Sequence, residues 1–496
     1  MATPWPKTPP TADELAAIAS AKPQSFWLDG LDDGTPPEPP LTTRERADLV
    51  IVGAGYTGLW AAIHAKTDQP DRDVVVLESG RAGHGASGRN GGFLDASLTH
   101  GLANGLSRFP DEMEVLERLA RANYAGLLAD VRRHGIDCDL EERGIVDVML
   151  EAYQEPWAQE EAELRGRFGY DCEALDGPTA RLLIDSPLIR AAVVQRDGAA
   201  IVHPGKLGTG LRRAALELGV RLHEGTAVRG IASGQGPGGG RRLVSSAAHY
   251  RGDRGGPVEV RTDGGVVEAE RVVLATNAYD PLVPSMRRRI VPVYDYVLMS
   301  EPLGAEQLAS IGWQGRQGLS DCGNQFHYLR LTADDRILIG GYDAVYRYGN
   351  PVGPHLDDHL PTFTKLSQHF FALFPQLRGL HFTHRWGGPI DTCSRFSVFF
   401  GTAHDGRVAY AAGYTGLGVG ATRFGARVAL DLVDGRTTEA TQLKFVRSKP
   451  TPFPPEPLRT AAIQLTRREL ARADEREGRR SLWLKALDRA GLGFDS

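Results

Sequence analysis

The stretch that decides the fold is Asp48-Leu49-Val50-Ile51-Val52-Gly53-Ala54-Gly55-Tyr56-Thr57-Gly58, an apolar run followed by three glycines with GxGxxG spacing. A second apolar run, Val74-Val75-Val76-Leu77, ends at Glu78, twenty-five positions after Gly53. This order predicts a strand, a glycine turn, a helix and a second strand with an acid at its end, which is the arrangement of a dinucleotide-binding βαβ unit.

Each glycine of this turn, and the acid, has a predicted task. Gly53 permits the tight turn, Gly55 lets the backbone approach a pyrophosphate, and Gly58 lets the helix pack against the strand. The N-terminus of the helix offers N–H groups to phosphates. Glu78 can accept hydrogen bonds from ribose hydroxyls and would repel the extra phosphate of NADP. The competing interpretation is a glycine turn with a purely structural role.

The composition indicates a globular protein with more than one packed unit. The 496 residues are 41% hydrophobic and 24% charged, and a chain of that length is expected to form at least two cores. The net charge of -5 provides no basic surface for nucleic acid. We expect neither a membrane-spanning segment nor a secretory signal. The four cysteines are far apart, which predicts free thiols, a cytoplasmic location and no metal site.

Three further segments favour a large flat ligand over a small one. The loop 83–92 contains five glycines, Ser87 and Arg89, which together suit a ligand that carries phosphates. Ala275-Thr276-Asn277 follows a buried-type strand, and ligands bind beyond that end of such sheets. A second glycine turn, 413–420, opens another helix, whose N-terminus would stabilise negative charge, such as that of a reduced flavin. A second nucleotide fold is the alternative, but no strand ending in an acid follows.

These motifs resemble those of the glycine oxidase / D-amino-acid oxidase superfamily of FAD-dependent amine oxidoreductases, and most closely the γ-glutamylputrescine oxidase-like branch. The resemblance extends from about residue 48 to 433. The strings that carry it are IVGAGYTGLWAA (51–62), VVVLE (74–78), GASGRNGG (85–92), VVLATNAY (272–279), RWGGPID (385–391) and GYTGLGVG (413–420).

The resemblance implies an α/β protein with two domains. A discontinuous Rossmann-like FAD-binding domain would comprise 45–110, 196–289 and 380–445. An α+β substrate domain with a mixed, largely antiparallel sheet would comprise 111–195 and 290–379. We expect a proline-rich arm on the surface at 1–44, a glycine-rich surface loop at 234–240 and a charged helical tail at 446–496. Residues 111–134, 206–218, 364–374, 466–480 and 483–489 have helical patterns.

FAD is the implied cofactor, and we expect it to be bound non-covalently because Cys393 lies later than the cysteine that carries FAD in some relatives. Val228 would meet adenine through its backbone, and 416–420 would lie near the flavin pyrimidine ring. The candidate cofactor-binding residues are Gly53, Gly55, Tyr56, Thr57, Gly58, Glu78, Ser79, Arg81, Gly85, Ala86, Ser87, Arg89, Asn90, Gly91, Gly92, Val228, Thr276, Asn277, Gly413, Thr415, Gly416, Leu417, Gly418 and Val419.

The reaction implied is oxidation of a C–N bond in a small-molecule amine or amino acid to an imine, which is hydrolysed to a carbonyl product, with dioxygen reoxidising the flavin. The substrate-pocket candidates are Tyr296, His327, Tyr328, Arg330, Arg385 and Trp386, each of which could instead be a packing residue or part of an ion pair.

The electron acceptor and the role of the tail remain open. Sarcosine-oxidase-like relatives place a lysine over the flavin, and the matching stretch 335–342 has none. A flavin dehydrogenase with another acceptor is therefore one alternative. A flavin-bearing tailoring protein, with the C-terminal helices binding a partner, is another.

Overall fold

The structure is a computed structural model that describes residues 3–31, 35–233 and 256–493. The predicted loop 234–240 lies outside the described residues. Two large sheets and one small sheet form the framework. Within the described ranges, no helix combines the length and the apolarity that crossing a membrane would require.

An eight-stranded sheet contains the predicted βαβ unit. Its central strands pair in parallel, and Val50 and Val272 in them are fully buried, as expected for a sheet covered on both faces. Its strands are Arg44–Val52, Val74–Leu77, Arg221–His223, Val228–Ser233, Val258–Thr262, Val266–Leu274, Phe399–Ala403 and Val408–Ala412.

A nine-stranded sheet faces the first one across the molecule's main cavity. All its pairs are antiparallel except that of Gly318–Asp321 with Ile145–Met149, which confirms the predicted mixed, largely antiparallel sheet. Its other strands are Cys172–Asp176, Ala191–Gln195, Val291–Ser300, His327–Leu331, Ile337–Gly341, Val345–Tyr346 and Phe382–Thr392, and a small sheet joins Phe93–Asp95 to Ala199–Ile201.

The helices confirm most of the periodic patterns in the sequence. The tail helix predicted at 466–480 is the exception, since the structure has Leu458–Asp474 there. The α-helices are Ala12–Ala19, Tyr56–Asp68, Leu102–Arg108, Met113–Arg133, Trp157–Arg167, Gly177–Leu183, Pro204–Glu217, Ala305–Ile311, Leu360–Leu373, Gly418–Val433, Glu439–Gln442, Lys444–Arg447, Leu458–Asp474 and Leu482–Arg489.

Two segments were assigned to the wrong domain. Strand Phe382–Thr392 pairs along its length with Val291–Ser300 in the nine-stranded sheet, although we placed it with the FAD-binding segments. Helix Met113–Arg133 packs on helix Gly418–Val433 beside the eight-stranded sheet, although we placed it in the substrate domain. An apolar face shows that an element is buried but not which core buries it. The other domain bounds remain predictions.

The N-terminal arm is more deeply embedded than predicted. Helix Ala12–Ala19 packs against helix Leu360–Leu373, and Trp27 is fully buried in a cluster with Val297 and Trp386. Ser25 Oγ donates to Gly88 O at 2.7 Å. The arm was predicted to lie on the surface, but its buried tryptophans, Trp5 and Trp27, bring it into the interior.

Candidate active site

All the glycine-rich motifs meet at one edge of the eight-stranded sheet. Its parallel strands end at Val52, Leu77, Leu274 and Ala412. Gly53, Ala275 and Gly413 directly follow three of these ends, and the loop 83–92 begins six residues after Leu77. Since carboxyl ends of parallel strands share an edge, segments separated by 360 positions in the chain become neighbours there. They line a cavity of about 1690 Å³, which is larger than most small-ligand pockets.

The first turn depends on glycine at two positions. Gly53 has φ +98°, and a Cβ on it would lie 2.6 Å from Ala275 O. A Cβ on Gly58 would lie 1.9 Å from Gly53 O, so the helix packs on the turn only because no side chain intervenes. Gly55 provides no side-chain cap to helix Tyr56–Asp68, and the first N–H of the helix, that of Tyr56, donates to Ser87 Oγ at 2.9 Å. The next N–H groups of the first turn have no intrahelical partner.

The second glycine turn contacts the first. Thr57 Oγ1 donates to Tyr414 Oη at 3.0 Å. Thr415 has φ +53° and Gly416 has φ +92°, and helix Gly418–Val433 also begins without a side-chain cap. Two helix N-termini therefore point into one cavity, where they would stabilise negative charge at two places on a long ligand.

Asp391 holds the second turn in place. One oxygen of its buried carboxyl accepts a hydrogen bond from Gly413 N at 2.6 Å. Burial raises the pKa of Asp391 to about 7, although the backbone N–H groups of the turn act in the opposite direction. The group therefore exchanges its proton near neutral pH while bonded to the wall of the cavity.

The GASGRNGG loop is fixed from behind by indole groups. Trp27 Nε1 donates to Asn90 O at 2.8 Å, and Trp386 Nε1 donates to Arg89 O at 2.9 Å. Within the loop, Asn90 Nδ2 donates to Ser87 O at 2.8 Å. These bonds hold the loop from the side away from the cavity and leave its glycine backbone along the cavity wall.

The opposite wall is one face of the nine-stranded sheet. Val293, Asp295 and Val297 line the cavity from alternate positions of one strand, as the period of two requires. Tyr328 Oη donates to Asp295 Oδ2 at 2.5 Å, and burial raises the pKa of Asp295. A Cβ on Gly91 would lie 2.7 Å from the Tyr328 ring, so this tyrosine–carboxylate pair lies beside the glycine loop.

Comparison with known proteins agrees with this geometry. Residues 48–432 match the family described as FAD dependent oxidoreductase (DAO). The chain belongs to this family. It is 32% identical to the γ-glutamylputrescine oxidoreductase of Escherichia coli K12 over 78% of this chain and 84% of that protein.

Solved structures of the same fold include oxidases and dehydrogenases. Glycine oxidase from Geobacillus kaustophilus superposes with a TM-score of 0.64 at 19% identity, over 82% of this chain and 99% of that one. L-proline dehydrogenase from P. horikoshii superposes with a TM-score of 0.60 at 19% identity, over 81% and 96%. At this identity the likeness establishes the DAO-type fold alone.

The residues present fit FAD, the family's cofactor. The two glycine turns provide close backbone approach and two helix N-termini whose N-cap residue supplies no side-chain cap, and the cavity is large enough for a dinucleotide. Thr276 Oγ1 is buried at the cavity without a hydrogen-bond partner among the described residues. A hydroxyl in that state costs free energy unless a ligand completes its bonding.

Most of the predicted cofactor residues line the cavity, while their individual contacts with FAD stay predictions. Gly58 and Gly413 are absent from the lining: Gly58 faces Gly53 O, and Gly413, with φ +79°, packs against Phe399. The predicted residues that do line it are Gly53, Gly55, Tyr56, Thr57, Glu78, Ser79, Arg81, Gly85, Ala86, Ser87, Arg89, Asn90, Gly91, Gly92, Val228, Thr276, Asn277, Thr415, Gly416, Leu417, Gly418 and Val419.

Of the six predicted substrate residues, Tyr328 alone lines the cavity, and the substrate role of each stays a prediction. Tyr296 lies on the far face of its strand, where its hydroxyl donates to Leu356 O at 2.9 Å. Arg385 pairs with Asp358 at 3.0 Å, and Trp386 holds the glycine loop.

His327 and Arg330 are fully buried behind the cavity wall. His327 Nδ1 is 2.7 Å from Asp321 Oδ2, and its Nε2 is 2.9 Å from His369 Nδ1. Arg330 donates to Val202 O and stacks over Trp27. Their polar groups are satisfied within the protein, so we propose no direct contact with a ligand for them.

Sequence reasoning missed Asp295 and Asp391. Asp295 lies between Tyr294 and Tyr296 in the sequence. Period-two spacing puts the two tyrosines on one face of the strand, and that face was favoured for the pocket because aromatic side chains are common in pockets. The spacing cannot say which face is turned to the cavity. A single carboxylate in an otherwise apolar strand was the available signal, since burying one requires hydrogen-bond partners.

Proposed function

We propose that the protein oxidises a C–N bond of an amine or amino acid bound between the glycine-lined wall and the nine-stranded sheet. The observation that carries the proposal is the Tyr328–Asp295 pair, a hydroxyl bonded to a buried carboxylate that faces the cavity beside Gly91. The relationship to γ-glutamylputrescine oxidoreductase supports an amine as substrate.

Bound FAD would supply the redox chemistry as acceptor of a hydride equivalent, and the protein must hold the substrate with its nitrogen lone pair free. An ammonium group has no free lone pair. Because burial raises the pKa of Asp295, this carboxylate takes up a proton more readily than an exposed one. The ring edge of Tyr328 lies against Gly91, and its hydroxyl is bonded to Asp295. We propose that an amine proton passes to this pair. The imine product would then be hydrolysed in water.

In the first form of the proposal, dioxygen accepts the electrons of the reduced flavin. A dehydrogenase that uses another acceptor is the second candidate, because no lysine lines the cavity in the described ranges. We propose non-covalent attachment of FAD. Cys393 supports this, since its Sγ is directed to Ser397 O and Gly413 O at 3.2 and 3.4 Å, away from the cavity. A cytoplasmic location stays a prediction from the free cysteines.

The test is anaerobic mixing of the purified holoenzyme with primary amines, secondary amines, polyamine conjugates and amino acids. We expect one class to bleach the flavin absorption near about 450 nm, a general flavin property. A folded, flavin-loaded protein that none of these classes bleaches would contradict the proposal. Admitting air then distinguishes the acceptors, because an oxidase forms hydrogen peroxide at the rate of substrate loss and a dehydrogenase does not.

A further inference from the structure

The C-terminal tail forms part of the cavity, although it lies outside the matched family region 48–432. One face of helix Leu458–Asp474 lines the cavity through residues at positions i, i+3, i+4, i+7, i+8 and i+11, namely Arg459, Ala462, Ile463, Thr466, Arg467 and Leu470. This spacing is that of a single helical face. Trp483 and Leu487 of the following helix extend the same wall.

Hydrogen bonds to two other segments of the chain, and one between the two tail helices, hold the tail in this position. Asp474 accepts hydrogen bonds from Asn324 Nδ2 at 2.6 Å and Asn324 N at 3.0 Å. Trp483 Nε1 donates to Thr466 Oγ1 at 3.0 Å, which joins the two tail helices. Phe453 N donates to Arg288 O at 2.7 Å. The tail helices therefore present their inner face to the cavity and not to an external partner.

The charges on that inner face have one sign. The acidic residues of the described tail, which include Glu456, Glu469, Asp474 and Asp488, are absent from the lining, whereas Arg459, Arg467 and Arg480 belong to it. Arg480 pairs with Asp488 at 2.7 Å. Arg459 Nε donates to the carbonyl of Pro454 at 3.1 Å. The tail thus adds positive charge to the cavity.

Arg467 is the least satisfied of these side chains. Within the described residues it makes no ion pair, its Nε is buried without a hydrogen-bond partner, and its one hydrogen bond joins Nη1 to Gln464 Oε1 at 3.1 Å. Burial lowers its pKa. Arg467 lies between the main cavity and an adjoining one of about 690 Å³, where the acid that acts on it, Asp343, is already bonded to Lys365 Nζ at 2.8 Å. A partly buried guanidinium without a counter-ion is suited to a carboxylate from a ligand.

We propose that the C-terminal tail is the specificity-determining wall of the substrate cavity and that Arg467 binds an anionic group, a carboxylate, on the substrate. The preferred substrate would then be an amine that also carries a carboxylate. The identification of the ligand as a substrate rests on the proposed function, whereas the anion site itself does not.

The first test is calorimetric titration of the holoenzyme with glutarate and with its neutral analogue glutaramide. We expect Arg467→Gln to weaken glutarate binding by about 10- to 100-fold, the range for a lost hydrogen bond to a charged group, and to leave glutaramide unaffected. Arg472→Gln is the matched control, because Arg472 is exposed, pairs with Glu469 on the same helix and is absent from the cavity lining. Arg467→Lys should restore part of the affinity, since it keeps the charge but loses the planar fork.

The second test uses whichever amine class bleaches the flavin, as a pair of compounds ending in a carboxylate or a carboxamide. We expect Arg467→Gln to raise KM for the carboxylate alone, with kcat and flavin content unchanged. The inference would be overturned if wild type and Arg467→Gln bind glutarate with equal affinity, or if neither protein binds glutarate. Either result would count against it even if the enzyme oxidises amines. Glutarate binding that depends on Arg467 without oxidation of any amine would instead overturn the proposed function alone.

Discussion

The two walls of the cavity are built by opposite means. The wall on the eight-stranded sheet consists of backbone brought close by missing side chains, as at Gly53, with Gly58 packed directly behind that turn. The wall on the nine-stranded sheet consists of side chains on alternate strand positions, as at Asp295 and Tyr328. The first kind of wall leaves a sequence signature because only glycine can build it. The second kind leaves little, because many side chains can occupy an alternate strand position.

The largest effect should follow from adding a methyl group to the backbone wall. Gly58→Ala would place a Cβ 1.9 Å from Gly53 O, so the helix or the turn must move. We expect destabilisation at or above the upper end of the about 1–3 kcal/mol that overpacking costs, with loss of FAD. Thermal unfolding and the ratio of flavin to protein absorption measure both.

Gly166→Ala is the matched control for this substitution, because it too is a helical glycine and its Cβ would meet nothing within 4 Å. Alanine favours the helix there by about 1 kcal/mol, so the control should be neutral or slightly stabilising. Equal behaviour of the two variants would show that close packing at residue 58 is unimportant.

A smaller effect is expected from removing one polar atom in the side-chain wall. Tyr328→Phe deletes the hydroxyl that donates to the buried Asp295 carboxylate, and an unsatisfied buried acceptor costs about 1–3 kcal/mol. We expect this loss of unfolding free energy in denaturant titration and a fall in kcat/KM for amines. The exposed Tyr348 provides the same substitution as a control, and a Tyr328→Phe enzyme with unchanged kcat/KM would exclude a role for this hydroxyl in catalysis.

The Thr276→Val substitution tests how the glycine-lined wall binds FAD without changing the packing of that wall. The Oγ1 atom has no partner among the described residues, so Thr276→Val should leave the stability of the apoprotein unchanged. If the hydroxyl bonds to FAD, the loss of about 0.5–1.5 kcal/mol weakens FAD binding several-fold, which titration of apoprotein with FAD measures. Thr402→Val at an exposed strand position is the control, and stronger or equal FAD binding by Thr276→Val would contradict this role.

The last prediction concerns pH, and its size follows from the pKa shift of Asp391, since one pKa unit corresponds to about 1.4 kcal/mol. The pKa of Asp391 is raised to about 7, so between pH 4 and 7 the folded protein binds a proton that the unfolded chain has released. This contribution to stability is complete below pH 4 and is lost as pH rises through 7. We therefore expect the difference in Tm between wild type and Asp391→Asn to decline from pH 5 to 8. A difference that is constant across this range would show that Asp391 stays ionised.

Prediction from the sequence was most accurate at positions that only one residue type can occupy. The βαβ unit, the second glycine turn and the FAD family were all indicated by the motifs at 53–58, 85–92 and 413–420. It was weakest for the substrate wall, where Tyr328 alone of six candidates lines the cavity. His327 and Arg330 were attractive because their groups are reactive, yet both are satisfied by Asp321, His369 and Val202 in the interior.

The sequence by itself determined the parallel sheet, the glycine turns and their order. The turns could be recognised because φ values near +90° and Cβ distances below 3 Å exclude residues other than glycine at those positions. The tertiary structure alone decided which face of strand Val291–Ser300 is turned to the cavity, which core receives helix Met113–Arg133 and where the tail helices lie. Those choices depend on contacts between segments far apart in the chain, and an apolar or alternating pattern is compatible with either face of a sheet and with either core.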